Sequence, residues 1–233
     1  MTSENEASIY IFGDILTESD VGSLALVEEL KSLPESIEAI NVYINSYGGE
    51  VSEGLAIYNI LKRHKAKIKT YCDGFACSIA SVVFMAGDER VMSDASLLMI
   101  HNAWGGSIGD HNKLRKDADS FETITSASIK AYMEHVNISE IELKKMMDDG
   151  TWVTPERAVE MGFATAVVKA KETNRVAASF RVREQLINLI TQQKKEKPVD
   201  AGGLKTTISV DTTELQAVLD RFEQLLKQHT AKS

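Results

Sequence analysis

Up to about residue 170, short apolar runs alternate with segments of helical spacing, and that alternation constrains the fold of this chain more than any other feature. Ser8 to Phe12 alternates like a short strand, and Ile37 to Ile44 reads as a buried strand broken by Tyr47-Gly48-Gly49. Lys67 to Cys72 is a third strand, Ser96 to Ile100 a fourth that runs into His101, and Ala166 to Val168 a last one. Between them, Leu24, Val27, Leu30 and Leu33 share a helix that Asp20 would cap and that ends before Pro34. Leu55 to Leu61 and Ile79 to Ala86 also read as helical. Strands alternating with helices are joined by crossovers, so the expectation is an α/β fold on a parallel sheet. Helices would cover both faces of such a sheet, which accounts for strands that are apolar nearly throughout.

Asp110 to Glu134 stands apart as a long polar segment whose large apolar residues are Leu114, Phe121, Ile124, Ile129, Tyr132 and Met133. A helix so thin in apolar residues is expected to be solvated or packed against another subunit rather than buried. Thr154-Pro155-Glu156-Arg157 opens a further helix, with Thr154 as cap, Pro155 at the first position and Gly162 as its stop. After about Lys171 the composition changes. Gln192 to Gly203 reads as a linker, and Asp211 to Gln228 carries an amphipathic stripe through Leu215, Val218, Leu219, Phe222, Leu225 and Leu226. The expected organisation is an arm over 1–7, one domain over 8–170 with its long helix at about 110–135, an extension and linker over 171–203, and a helical tail over 204–233.

A chain of 233 residues with 43% apolar composition can bury one sizeable core plus an appendage. The net charge of -8 argues against nucleic acid as a partner. Only two cysteines occur, Cys72 and Cys77, which fits a reducing compartment and no disulfide framework. Met1 to Ala7 is polar and acidic, without the pattern of a secretory signal, and no apolar run reaches the ~18 residues of a membrane span. The expectation is a soluble cytoplasmic protein with no membrane partner. No Walker A or His-Glu-x-x-His pattern occurs and the cysteines lack partners at zinc-ligand spacing, so no metal and no cofactor is expected.

Chemistry concentrates around Ser78. It follows the small-residue stretch Gly74-Phe75-Ala76-Cys77 and opens the apolar run that begins at Ile79, and helix amides at such a junction favour developing negative charge. A serine hydroxyl needs a general base. Of five histidines, His64 and His229 lie in basic or polar runs, and His111 and His135 at the ends of the polar helix. His101 ends an apolar strand, where functional residues of parallel sheets gather, and is the candidate base. The Asp148-Asp149 pair before Trp152 is the plausible source of a carboxylate to orient it. The Ile79 amide and the Gly48-Gly49 turn are candidate donors to a tetrahedral oxyanion.

Four blocks in order then resemble the Clp protease proteolytic subunit (ClpP) family of serine peptidases, and more specifically its phage and prophage members that process capsid proteins during head maturation. Asn45-Ser46-Tyr47-Gly48-Gly49-Glu50-Val51 resembles the family's Ser-Pro-Gly-Gly turn, and Gly74-Phe75-Ala76-Cys77-Ser78-Ile79-Ala80 its nucleophile motif. Met99-Ile100-His101-Asn102-Ala103-Trp104-Gly105-Gly106 resembles Met-Ile-His-Gln-Pro-x-Gly-Gly, and Trp152 to Gly162 the block after the catalytic Asp. The resemblance implies the ClpP/crotonase-like fold, Ser78 as nucleophile, His101 as general base and acid, and Gly49 and Ile79 as the oxyanion-hole amides. It places Val51 along the substrate strand and makes Asp110 to Glu134 a handle helix packing ring on ring, hence a homo-oligomeric ring. Tyr47 and Ala103 depart from family prolines, and a gapless alignment puts Gly150 at the catalytic Asp. Asp149 is taken as the third member by a one-residue shift, with Asp148 second and a Ser-His dyad as a further alternative. The short segment before the first strand, in place of the longer one that contacts an ATPase, implies work without a Clp ATPase. The expected substrate is a capsid or scaffold polypeptide in the cytoplasm of a bacterial host. A housekeeping ClpP paired with a Clp ATPase, a crotonase-like acyl-CoA enzyme and an inactive assembly protein are the alternatives.

Overall fold

A computed structural model describes residues 5–17 and 19–169. The extension, linker and helical tail expected from residue 171 onward lie outside the described residues, as does most of the arm. Five strands lie side by side and parallel: β1 (Glu6–Phe12), β2 (Ala39–Ser46), β3 (Lys67–Cys77), β4 (Glu89–Ser93) and β7 (Ala166–Val168). β5 (Leu97–Ile100) pairs in parallel with the second half of β3, and β6 (Thr151–Val153) runs antiparallel to β5. The helices are α1 (Ser23–Ser32), α2 (Val51–Lys62), α3 (Ile79–Phe84), α4 (His111–Met133), α5 (Glu140–Asp148) and α6 (Pro155–Glu160). The mixed α/β, parallel-dominated sheet expected from the sequence is the fold observed.

Alternate positions of the strands, Ile9 and Ile11, then Ile40, Val42 and Ile44, are buried with Ile57 and Leu61 of α2 and Val83 and Phe84 of α3. The other face is not covered as expected. Tyr10, Tyr43 and Tyr71 stack across β1, β2 and β3 with ring centroids 5.1 and 4.8 Å apart, and Tyr10 and Phe12 are exposed. The strands therefore alternate buried aliphatic residues with an outer face that carries Tyr10, Tyr43 and Tyr71 among polar residues such as Ser8, Asn45 and Lys69, and an accessible aromatic residue reads as apolar in the sequence though it covers no core.

Three further expectations need correction. Asp20 does not cap α1; Gly22 is the N-cap, and the Ser23 amide donates instead to Glu53 Oε2 of α2 at 2.7 Å. β3 does not stop at Cys72 but runs to Cys77. Its second half leaves β4 and pairs with β5, and Asn45 Oδ1 accepts from the Phe75 amide at 3.1 Å across the bulge. α4 begins on Asp110, which accepts from the Asn112 and Lys113 amides, and its early turns are largely exposed. Its last turns are not: Thr125, Ser128, Ile129, Ala131 and Tyr132 are buried, because small and hydroxyl side chains let the helix approach α3 closely. Among the described residues no helix is long and apolar enough to cross a membrane.

Candidate active site

Ser78 is the hinge between β3 and α3. Its φ of 54° and ψ of -129° make it the one non-glycine residue with positive φ among the described residues. Such a conformation costs ~1–3 kcal/mol and persists only where surroundings hold it. Here the Ser78 amide donates to Met99 O at 2.8 Å, tying the turn to β5, and its carbonyl accepts from the Ser81 amide at 3.0 Å. The abrupt reversal carries the Ser78 side chain into a cleft of about 410 Å³, which it shares with Gly49, Ile79 and His101. Cys77, next in sequence, is no competitor as nucleophile: it is 1% exposed, and burial pushes its thiol up to about 11.

Two amides are available beside Ser78. Ile79 is the first residue of α3, a position whose N–H has no intrahelical acceptor. Gly49 follows β2 in a turn pinned on both sides: Ile15 donates to Gly48 O and Glu50 donates to Ile15 O, each at 2.8 Å. Neither the Ile79 nor the Gly49 N–H has a partner among the described residues. Gly48 sets the spacing. Its φ is +103°, and a Cβ there would stand 2.8 Å from both Ser78 Cβ and Cys77 O. Gly48→Ala is therefore expected to push the turn off Ser78 and lower kcat by about 10²-fold, the scale of losing one oxyanion donor, at little change in KM; steady-state kinetics on a fluorogenic peptide checks it.

His101 continues β5 by one residue and lines the same cleft, with Asn102, Ala103 and Trp104 forming that wall. Leu16, Val51, Val82 and Tyr132 supply apolar lining, so the cleft suits an extended peptide with a side chain turned inward. The structure thus brings Ser78, His101, Gly49 and Ile79 together. Among the described residues no hydrogen bond joins His101 to Ser78 or to a carboxylate. Asp148 is engaged elsewhere, accepting from Asn102 Nδ2 at 2.7 Å. Asp149 is the C-cap of α5 and does not line the cleft. The pairing of Met99 with Trp152 and Ile100 with Thr151, continued one residue, sets Gly150 across from His101. Gly150 has φ +62°, the left-handed turn that ends α5, and glycine takes it without strain where an aspartate would not.

Sequence reasoning missed Ser81, whose Oγ lies 2.5 Å from the Ser78 carbonyl, and the role of Tyr132, whose hydroxyl meets Ser81 at 2.7 Å. A hydroxyl inside the apolar run Ile79 to Ala86 is a signal for Ser81; nothing local marks Tyr132. No cluster of three or more His, Cys, Asp or Glu able to hold a metal occurs among the described residues.

Residues 5–171 match the family model described as Clp protease. The chain belongs to the Clp protease family. A relative of this Clp protease is the ATP-dependent Clp protease proteolytic subunit of Deinococcus radiodurans, 33% identical over 140 residues, which cover 59% of this chain and 69% of that protein. The strained serine turn, the Gly-Gly turn and the strand-end histidine all fall inside the segment by which this Clp protease matches its family.

Proposed function

We propose that this Clp protease is a serine endopeptidase, and the observation that carries the reading is a strained Ser78 sharing one cleft with His101 and two unpartnered amides. Ser78 Oγ attacks the scissile carbonyl carbon while one imidazole nitrogen of His101 takes the hydroxyl proton. The carbonyl oxygen becomes an oxyanion held by the Ile79 and Gly49 amides. Collapse breaks the C–N bond, His101 returns its proton to the departing amine, and an acyl-Ser78 remains. Water, deprotonated by His101, attacks the acyl carbon, and the serine leaves with the proton. Asp149 is the proposed partner of the second imidazole nitrogen.

The proposed assembly is a homo-oligomeric ring. Trp104 and Ile108 are 80% and 96% exposed beside α4, and Leu114 and Ile124 on α4 are exposed too, an apolar set that a second copy would cover. For substrate, the proposal is a capsid or scaffold precursor cut without ATP, on the motif resemblance and on Tyr47 and Ala103 standing where housekeeping members carry proline. A second reading has its own support: the relative is named ATP-dependent, and the open aromatic strip of Tyr10, Phe12, Tyr43 and Tyr71 is a surface suited to an unfoldase partner.

A fluorophosphonate probe followed by peptide mapping tests the chemistry. Label on Ser78 is expected, whereas no label together with binding of an acyl-CoA would turn the reading to a crotonase-like enzyme. Casein degradation that requires a Clp ATPase and ATP selects the second substrate reading; ATP-independent cleavage of a co-expressed capsid or scaffold protein selects the first.

A further inference from the structure

The hydroxyls of Ser81 and Tyr132 have no part in the acyl-transfer scheme, yet both residues are 1% exposed and meet directly behind the nucleophile. Ser81 Oγ lies 2.5 Å from the Ser78 carbonyl oxygen and 2.7 Å from the Tyr132 hydroxyl. A carbonyl has no proton to give, and a serine hydroxyl has only one. Ser81 therefore donates to the Ser78 carbonyl, and Tyr132 donates to Ser81. Burial holds the Tyr132 hydroxyl above its ordinary ionisation range, so it keeps the proton it donates.

The carbonyl at the end of this chain belongs to the peptide that joins Ser78 to Ile79, and the N–H of that peptide is the oxyanion donor proposed above. A peptide group is planar and conjugated, so holding its oxygen fixes the direction of its N–H. Donors on the oxygen also draw electron density from the nitrogen, and hydrogen bonds in series strengthen one another. Packing alone does not ask for these hydroxyls. Phenylalanine would fill the Tyr132 site and keep the edge contact to Phe163 at 5.7 Å, and alanine is the better helix former at 81.

We propose that Tyr132 and Ser81 are positioning residues, which lock and polarise the Ser78–Ile79 peptide so that the Ile79 N–H is preset for the oxyanion. Tyr132 lies near the C-terminal end of α4, so the partly exposed helix is joined through two hydroxyls to the nucleophile turn. The inference rests on the reading of Ser78 as nucleophile.

Tyr132→Phe, Ser81→Ala, the double variant and the conservative Ser81→Thr, made in the full chain, test it. The readouts are kcat and KM on a fluorogenic peptide, inhibition by a peptide aldehyde that adds to the serine as a tetrahedral adduct, fluorophosphonate labelling rate and Tm. Tyr132→Phe and Ser81→Ala should each lower kcat by about 10-fold, less than outright loss of an oxyanion donor, with KM within about 2-fold. Aldehyde affinity should fall in step with kcat, the double variant should be little worse than either single one, and Ser81→Thr should retain activity. Wild-type kcat and aldehyde affinity in both single variants, whatever happens to Tm, would overturn the inference alone. A wild-type protein that takes no label at Ser78 overturns the nucleophile reading with it.

Discussion

Ser78→Ala is expected to abolish turnover, with a loss in kcat of about 10⁵–10⁶-fold on a fluorogenic peptide, and Ser78→Gly to be equally inactive yet more stable than the alanine variant. The first effect follows from removing the atom that forms the acyl bond in the proposed mechanism. The second follows from the backbone. At φ 54° the residue occupies a region that any side chain makes costly, by ~1–3 kcal/mol, and alanine keeps that cost. Glycine relieves it but adds ~0.5–1 kcal/mol of unfolded-chain entropy, so the net gain over alanine is about 1 kcal/mol. For a domain of this size that is roughly 2–4 °C in Tm. Differential scanning calorimetry of the two inactive variants makes the comparison without interference from self-cleavage. A glycine variant less stable than the alanine one by that ~0.5–1 kcal/mol would mean that the turn around Ser78 stores no strain.

Local pattern was informative wherever one residue type answers one local need. The alternation of Ile40, Val42 and Ile44 marks a strand, and Thr154-Pro155 marks a helix start, with Thr154 Oγ1 accepting from the Arg157 amide. β4 was not legible because its Arg90 is buried by tertiary contacts, donating to the carbonyls of Gly87, Phe163 and Gly162, and no propensity sees that. β6 has three residues and exists through its pairing with β5; α5 has only Leu143 and Met147 fully buried, too short a stripe to stand out. The second half of β3 was hidden by Asp73 and Gly74, which look like a stop and instead mark a change of partner. Ser78, Ile79, Gly49 and His101 could be grouped from sequence because each sits at the end of a strand or the start of a helix, and ends of neighbouring parallel strands converge. Tyr132 could not, because its hydroxyl reaches Ser81 across 51 residues by helix packing.

His101→Ala is expected to cost about 10⁴–10⁶-fold in kcat, since without a base the Ser78 hydroxyl is almost wholly protonated at neutral pH. KM should change little, because the cleft walls formed by Leu16, Val51 and Trp104 remain. The two neighbouring aspartates then separate the ways of orienting that histidine. The β5–β6 register brings the end of α5 alongside His101; Asp148 is already committed to Asn102, while the Asp149 side chain has no partner among the described residues. Asp149→Asn should therefore lower kcat by about 10²–10⁴-fold, approaching what loss of the orienting carboxylate costs in a full triad. Asp148→Asn should cost about 10-fold or less, through looser support of the Asn102 loop, as expected of a group that acts through another. The reverse order of effects would assign the third position to Asp148. Near wild-type rates in both would leave a Ser78–His101 dyad, consistent with the β5–β6 register setting Gly150, which has no carboxylate, across from His101.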